Sequence, residues 1–369
     1  MKALLNQFRF IYLEKVINSE EDFDVYFSNK QSSCIDNLKE HIVFINYDYK
    51  NKIENFKTKN TNPLWFPETL FIEVEKKITT NKLSHFNSKI NSNKINLIST
   101  VSKEEYTRNF NNIKDHIQKG DVYEINYCIT FEANDVEINP IMLFEKLNSI
   151  SDAPFACLAK FDHQYIISSS PELYISKKEN NLITKPIKGT AKRGKTTSED
   201  DDLKNNLLHS LKERTENVMI VDVCRNDLSR IAKKGSVEVE KLFDIESYKQ
   251  VHQMVSTVKC ELKESTTFKE IINNTFPMAS MTGAPKIRAM QLIDEYELYN
   301  RGPYSGAIGY IDENGDFDLS VLIRSVFYDE KKYYLSFSVG SAITAMSNAE
   351  DEYEECLLKA KAMIQVLST

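Results

Sequence analysis

The chain has 369 residues, 41% of them hydrophobic and 27% charged, with a formal net charge of −7. That is globular composition with ample core material; the acidic balance and absence of a basic stripe exclude a nucleic-acid partner. No apolar run approaches the roughly 18 residues of a membrane span, which excludes a spanning segment.

The N-terminus MKALLNQFRF is too short an apolar stretch for a signal peptide. Cys34, Cys128, Cys157, Cys224, Cys260 and Cys356 never pair at metal-ligand spacing, so reduced, mostly buried thiols and a cytoplasmic location are expected. Strand-like runs occupy His41–Tyr49 and Leu64–Val74, and the Asn/Lys/Ser-rich stretch NKLSHFNSKINSNK (81–94) reads as a surface loop. No glycine precedes Gly120, and nine of the ten lie between Gly189 and Gly340, so close backbone approach is expected mainly in the second half. Glu104–Lys119 is predicted as a helix ended by Gly120. Strands follow at Val122–Glu132, Phe155–Phe161, Gln164–Ser169 and Leu182–Pro186.

A helical region starts near Ser198, an N-cap followed by acidic residues. Leu203, Leu207, Leu211, Val218 and Val221 supply its apolar spacing, with a break between two helices. A further helix begins near Pro285. Ser305–Tyr310 and Phe317–Tyr328 flank the hairpin signal Asn314-Gly315, and Lys332–Val339 makes a third strand. The last helix opens on Ser347 and Glu350 as a capping box, with a core stripe of Tyr353, Cys356, Leu357, Ala360, Ile364 and Leu367. Sheets interleaved with helices and no internal repeat imply an α+β fold.

Three constellations carry chemistry. Glu213 with Glu216, and Glu352 with Glu355, stand three apart on helices, one face each. That spacing suits either a magnesium ion relieving like-charge repulsion or a solvated acidic face. Thr282-Gly283-Ala284-Pro285-Lys286 opens a helix with bare amides, Gly340-Ser341-Ala342 ends a strand with small residues, and Arg324 can clamp a carboxylate. The alternative is ordinary turn glycines and a structural salt bridge. In LITKPIKGTAKRGK (182–195), Lys188 is pinned between Pro186-Ile187 and Gly189-Thr190. Burial at a strand end would lower its pKa and free a nucleophilic amine, with Glu172 of Ser170-Pro171-Glu172 as proton donor. The competing reading is a salt bridge on an exposed hairpin.

The stretches GDVYEINY (120–127), SSPELYIS (169–176), PIKGTAKRG (186–194), ERTENVMIVDVCRNDLSRI (213–231), GSVEVEKLFDIESY (235–248), TFPMASMTGAPKIRAMQLIDEYE (275–297), RGPYSGAIGY (301–310) and EDEYEECLLKAKAMI (350–364) together resemble the chorismate-utilising enzymes. They run in family order over roughly residues 105 to 366. Before them, only INYDYKNKIENF (45–56) matches, loosely, so 1–100 is taken as a divergent N-terminal portion and 101–369 as the catalytic portion of one large intertwined domain. The resemblance implies two stacked β-sheets with helices on the outer sides. It implies magnesium held through Glu213, Glu216, Glu352 and Glu355. Chorismate would be held by Arg324, Thr282, Tyr304 and the backbone around Gly340 and Ser341, with Thr190 seating the ring.

Members making anthranilate resemble this motif but carry alanine at position 188; those making aminodeoxychorismate carry PIKGT, as here. In the latter, the resemblance implies that Lys188 attacks ring C2 while Glu172 assists departure of the C4 hydroxyl. Ammonia then adds at C4 and expels the lysine. Water-using isochorismate and salicylate synthases carry a general-base lysine in the strand matching GDVYEINY, where this chain has Glu124. Many members read HLVS where this chain reads HQMVS, placing Gln253 at the family's histidine and His252 one residue earlier; on a helix that offset turns a side chain by about 100°. LLNQ (4–7) replaces the LLES segment through which anthranilate synthases bind tryptophan, so tryptophan feedback is not expected. No Gly-x-Cys-x-Gly elbow or lyase domain is present, so a separate glutamine amidotransferase subunit is expected to supply ammonia and the product would be handed on. The expected function is aminodeoxychorismate synthase component I, towards p-aminobenzoate and folate. The alternatives are anthranilate synthase component I and a non-catalytic chorismate-binding subunit.

Overall fold

The computed structural model describes residues 10–13, 40–74, 95–249 and 251–368. The loop expected at 81–94, the LLNQ segment and Cys34 lie outside the described residues. In chain order the strands are β1 (Phe10–Leu13), β2 (His41–Ile45), β3 (Thr69–Glu73), β4 (Ile98–Ser99), β5 (Glu124–Ala133), β6 (Phe155–Phe161), β7 (Gln164–Ser170), β8 (Leu173–Lys178), β9 (Asn181–Thr184), β10 (Ile187–Lys192), β11 (Glu238–Ser247), β12 (Val251–Glu261), β13 (Gly283–Ala284), β14 (Ala307–Ile311), β15 (Phe317–Val321), β16 (Ser325–Asp329) and β17 (Tyr334–Thr344). The helices are α1 (Lys50–Glu54), α2 (Lys103–Gln118), α3 (Pro140–Ser151), α4 (Thr197–His209), α5 (Leu211–Ser229), α6 (Phe268–Thr275), α7 (Lys286–Tyr296) and α8 (Ala349–Leu367).

Two sheets result, an α+β architecture. The first runs β1-β6-β7-β16-β17-β5-β13, with β4 on β5; the second runs β10-β12-β9-β8-β15-β14-β2-β3, with β11 on β12. Their inner faces pack on each other, as the ring pairs Phe44–Phe161 (5.6 Å) and Phe66–Phe327 (6.1 Å) show. The first sheet is buried on both faces, so its strands alternate between two cores rather than between core and water. In β6, Cys157, Ala159 and Phe161 join the intersheet core, whereas Ala156 and Leu158 face a second core built with α2, α3, α7 and α8. Helix α5 lies against β10 and β12 of the second sheet.

Capping chemistry sets most helix starts. Ser102 caps α2 and Thr196, not Ser198, caps α4, each accepting an amide from three residues on. The expected break falls at Ser210, which ends α4 and caps α5. Helix α8 is capped by Asn348 rather than by a Ser347/Glu350 box; Ser347 Oγ instead accepts the Thr344 amide. Five buried cysteines are free thiols, and among the described residues no helix is long and apolar enough to cross a membrane.

Three strand expectations are corrected. His41–Tyr49 ends as a strand at Ile45 and continues as a 3-10 turn at Tyr47–Tyr49. Phe317–Tyr328 is two strands: β15 belongs to the second sheet and β16 to the first, with Leu322-Ile323-Arg324 crossing between them. Gly340-Ser341-Ala342 lies inside β17 rather than at its end, because β5 pairs with it through Thr344.

Candidate active site

The site forms where paired strands change sheets. Strands β7 and β8 are joined across the sheets by Pro171-Glu172, and β15 and β16 by Leu322-Ile323-Arg324. Arg324 adopts φ 52, a left-handed conformation that a side chain tolerates only when its surroundings hold it there. Burial pushes the Arg324 guanidinium down from its ordinary value, against the pull of Tyr304 and Glu355, and among the described residues it has no ion-pair or hydrogen-bond partner. An unpaired cation in such a place suits an anionic ligand.

Lys188 comes from β10 at the edge of the second sheet, and its amine reaches the first: Nζ lies 2.5 Å from Glu124 Oε1 on β5. The Lys188 and Glu124 side chains are 8% and 0% exposed, so this is a buried ion pair rather than a hairpin salt bridge. Gly189 follows at φ +93, and a Cβ there would stand 2.9 Å from Glu213 Oε2; glycine lets β10 pass that close to α5. The expected lowering of the Lys188 pKa is corrected. Burial does act to lower it, but Glu124, Glu216 and Glu172 outweigh burial and hold the amine above the usual lysine value.

Strands β8 and β10 are not neighbours, since β9 and β12 lie between them in the sheet order. Glu172 and Lys188 nevertheless act on each other. Burial pushes the Glu172 carboxyl up to about 7, while Ser280, Lys188 and the Ile187 amide draw it back. A carboxyl at that value is populated as an acid near neutrality.

The four helix glutamates are linked electrostatically, directly or through Lys212. Glu213 is pushed up by burial, with Lys212 opposing and Glu355 adding; Glu216 is pushed up to about 8 by burial, with Glu124 and Glu213 adding. Lys212 Nζ stands 2.7 Å from Glu352 and 3.9 Å from Glu216, linking α5 to α8, and Lys359 Nζ pairs with Glu355 at 2.6 Å. Glu216 Oε1 and Glu352 Oε2 are buried without a hydrogen-bond donor. Were all ionised, Glu124, Glu172, Glu213, Glu216, Glu352 and Glu355 would outnumber Lys188, Lys212, Lys359 and Arg324; the raised values of Glu172 and Glu216 mean that protons relieve this excess where no cation does. Among the described residues, no three His, Cys, Asp or Glu side chains converge closely enough to enclose a metal unaided. The four expected magnesium-holding glutamates are thus not gathered as a ligand set here, and Lys212 stands between two of them, Glu216 and Glu352.

The remaining expected residues divide. Tyr304 is buried, and its hydroxyl accepts from the Cys128 thiol at 3.6 Å. Thr282 is fully buried and its hydroxyl donates to Met278 and Ala279 within its own turn. The Lys286 amine is likewise taken by Asp227 and the carbonyls of Thr275 and Pro277. The Ser341 hydroxyl hydrogen-bonds that of Tyr106 of α2 at 3.1 Å. Gly340 lacks room for a side chain: a Cβ would stand 2.5 Å from Cys128 Sγ and 2.6 Å from Asn126 Oδ1. Thr190 is exposed on β10, opposite Gln253. His252 and Gln253 lie on strand β12, not on a helix, so they point to opposite faces. His252 bonds Ser247 (2.8 Å) and Asp200 (3.0 Å), whereas Gln253 is buried with its Oε1 unpartnered.

Glu124, Lys212 and Lys359 were not among the expected site residues. Polar Glu124 and Asn126 alternating with Ile125, Tyr127 and Ile129 was the legible signal for the first, since an inward polar face needs a reason.

A family model described as chorismate binding enzyme matches residues 13–365. The chain is 35% identical over 335 residues to anthranilate synthase component 1 of Acetivibrio thermocellus, covering 90% of this chain and 66% of that protein. It is 32% identical over 361 residues to aminodeoxychorismate synthase component 1 of Bacillus subtilis, covering 88% and 76%. It thus spans just under two thirds of the Acetivibrio protein, and 36% of the probable aminodeoxychorismate synthase of rice. Among solved structures, anthranilate synthase component I of Streptococcus pneumoniae matches with a TM-score of 0.79 at 25% identity, covering 97% of this chain and 89% of that one.

Proposed function

The chain belongs to the family of chorismate binding enzymes, and on that premise we propose that it is an aminodeoxychorismate synthase component I. The observation that carries this reading is a lysine amine placed inside the site, facing Glu124, Glu172 and Glu216. Neutral Lys188 would attack C2 of chorismate while Glu172, held near neutrality by burial, gives its proton to the departing C4 hydroxyl. Ammonia then adds at C4, the bond from Lys188 to C2 breaks, and the enolpyruvyl group stays on the product. Occupying the approach to C2, the lysine side chain would keep ammonia from adding there, which favours amination at C4. Arg324 would hold a substrate carboxylate. A magnesium ion at Glu213, Glu216, Glu352 and Glu355 would neutralise the ring carboxylate and draw electron density from the ring.

The ammonia would come from a separate glutamine amidotransferase subunit, a reading supported by the relatives' names as component 1. Incubation with chorismate, magnesium and ammonium chloride tests the reaction without that partner. 4-Amino-4-deoxychorismate without pyruvate is expected; anthranilate with equimolar pyruvate would assign the chain to the other reaction its relatives are named for. Tight chorismate binding with no product from any ammonia source would leave a non-catalytic binding subunit.

A further inference from the structure

Resting on that reading, we propose that Glu124 is a catalytic residue: it takes the proton that Lys188 must lose before attack and returns it when the lysine is expelled. The geometry leaves few alternatives. Lys188 Nζ lies 2.5 Å from Glu124 Oε1, and among the described residues no other carboxylate lies within ion-pair distance of it. Glu124 is fully buried at the start of β5, one strand in from the edge of the first sheet, paired on one side with Ala284 and on the other with Thr344, which fixes its backbone relative to the amine. Among the described residues, no donor apart from the Lys188 amine reaches either of its oxygens, so no hydrogen-bond network there opposes the arrival of a proton.

The need follows from electrostatics. The carboxylates facing Lys188 hold its amine above the ordinary lysine value, with Lys212 and Lys359 spent on Glu352 and Glu355. An ammonium has no lone pair, so attack requires a local acceptor. The protons balance. Lys188 ammonium gives one to Glu124, and the neutral amine bonds to C2 as a secondary ammonium. The C4–O bond breaks with the Glu172 proton, releasing water. Ammonia bonds to C4, the C2–N bond breaks, the lysine leaves as a neutral amine, and Glu124 gives the proton back. Glu172 recovers its own proton from the new C4 ammonium.

The test is the rate at which the Lys188 adduct forms from chorismate and magnesium without ammonia, read by intact-protein mass after acid quench, in wild type, Glu124→Gln and Glu124→Asp. At neutral pH, Glu124→Gln is expected to slow the adduct at least about tenfold, with the deficit relative to wild type at the same pH narrowing as pH rises because hydroxide then takes the proton. Glu124→Asp is expected to retain an intermediate rate. Steady-state turnover should show kcat falling while KM for chorismate changes little, which also shows that the variant is folded. If Glu124 serves only to anchor the lysine, its removal leaves burial to depress the amine's proton affinity. Glu124→Gln would then form adduct as fast as wild type or faster, with no narrowing deficit as pH rises, and that result overturns the proposal. Absence of any adduct in wild type under turnover would instead remove Lys188 as nucleophile, and this step with it.

Discussion

Glu172 and Arg324 occupy the two neighbouring segments by which one pair of strands passes from the second sheet to the first. The Val321 amide donates to the Glu172 carbonyl and the Ser169 amide to the Arg324 carbonyl, each at 3.1 Å. Backbone hydrogen bonding thus holds an acid and an unpaired guanidinium at one corner, in a position neither could keep on a free loop. Replacing Arg324 with Met is expected to raise KM for chorismate about 10- to 100-fold, the equivalent of losing a charged hydrogen bond. Initial-rate kinetics across chorismate concentrations check it.

Glu172 sets a pH limb. Burial lifts its carboxyl to about 7, so the acid form dominates below that value and is lost above it. Adduct formation is expected to fall as pH rises through about 7 in wild type. Glu172→Gln should remove this limb and reduce the rate about 100- to 10,000-fold. Stopped-time mass measurements between pH 6 and 9 decide it.

The Lys188–Glu124 pair should be costly to break from one side. Lys188→Met strands a fully buried carboxylate and is expected to cost about 3–5 kcal/mol. The double variant Lys188→Met with Glu124→Gln should recover most of that loss, because neither charge remains. Urea unfolding of the three proteins measures the difference.

Magnesium should stabilise the protein more at higher pH. Burial first, then Glu124 and Glu213, lift Glu216 from 4.5 to about 8, so folding takes up a proton between those values and the metal-free protein loses stability as pH rises through them. A bound cation supplies the missing charge. The magnesium-induced rise in Tm is therefore expected to grow from pH 6 to 9, and to shrink in Glu216→Gln and Glu352→Gln. Thermal unfolding with and without magnesium chloride tests it.

Gly340→Ala is expected to destabilise by about 1–3 kcal/mol through overpacking, since the new methyl group meets Cys128 and Asn126. Shortening the neighbour in Gly340→Ala with Cys128→Ala should recover part of the loss, read from the urea midpoint.

Local rules and family motifs carried much of this protein before any folding was considered. Alternating apolar residues located β6 to the residue and β5 and β7 to within two, and Asn314-Gly315 correctly signalled the β14–β15 hairpin. Local chemistry was ambiguous where it could serve either side of a boundary. Ser347 and Asn348 both suit a cap, and Ser347 was taken up by Thr344 instead. Lys188 and Glu172 were legible as a pair because of their motifs, although the strands bearing them are not adjacent.

What chain order could not reveal was which charges face one another. The pairing of β5 with β13 and β17 brings Glu124 under Lys188, and the fold sets Lys212 of α5 between Glu216 of its own helix and Glu352 of α8. A lysine's proton affinity depends on the sum of burial and nearby charge, and those neighbours come from segments 64 residues or fewer on one side and 28 on the other. The residue types and their spacing therefore named the reacting groups, while only the folded arrangement decided that the amine rests protonated against a carboxylate, because Coulomb energy depends on distance in space and not along the chain.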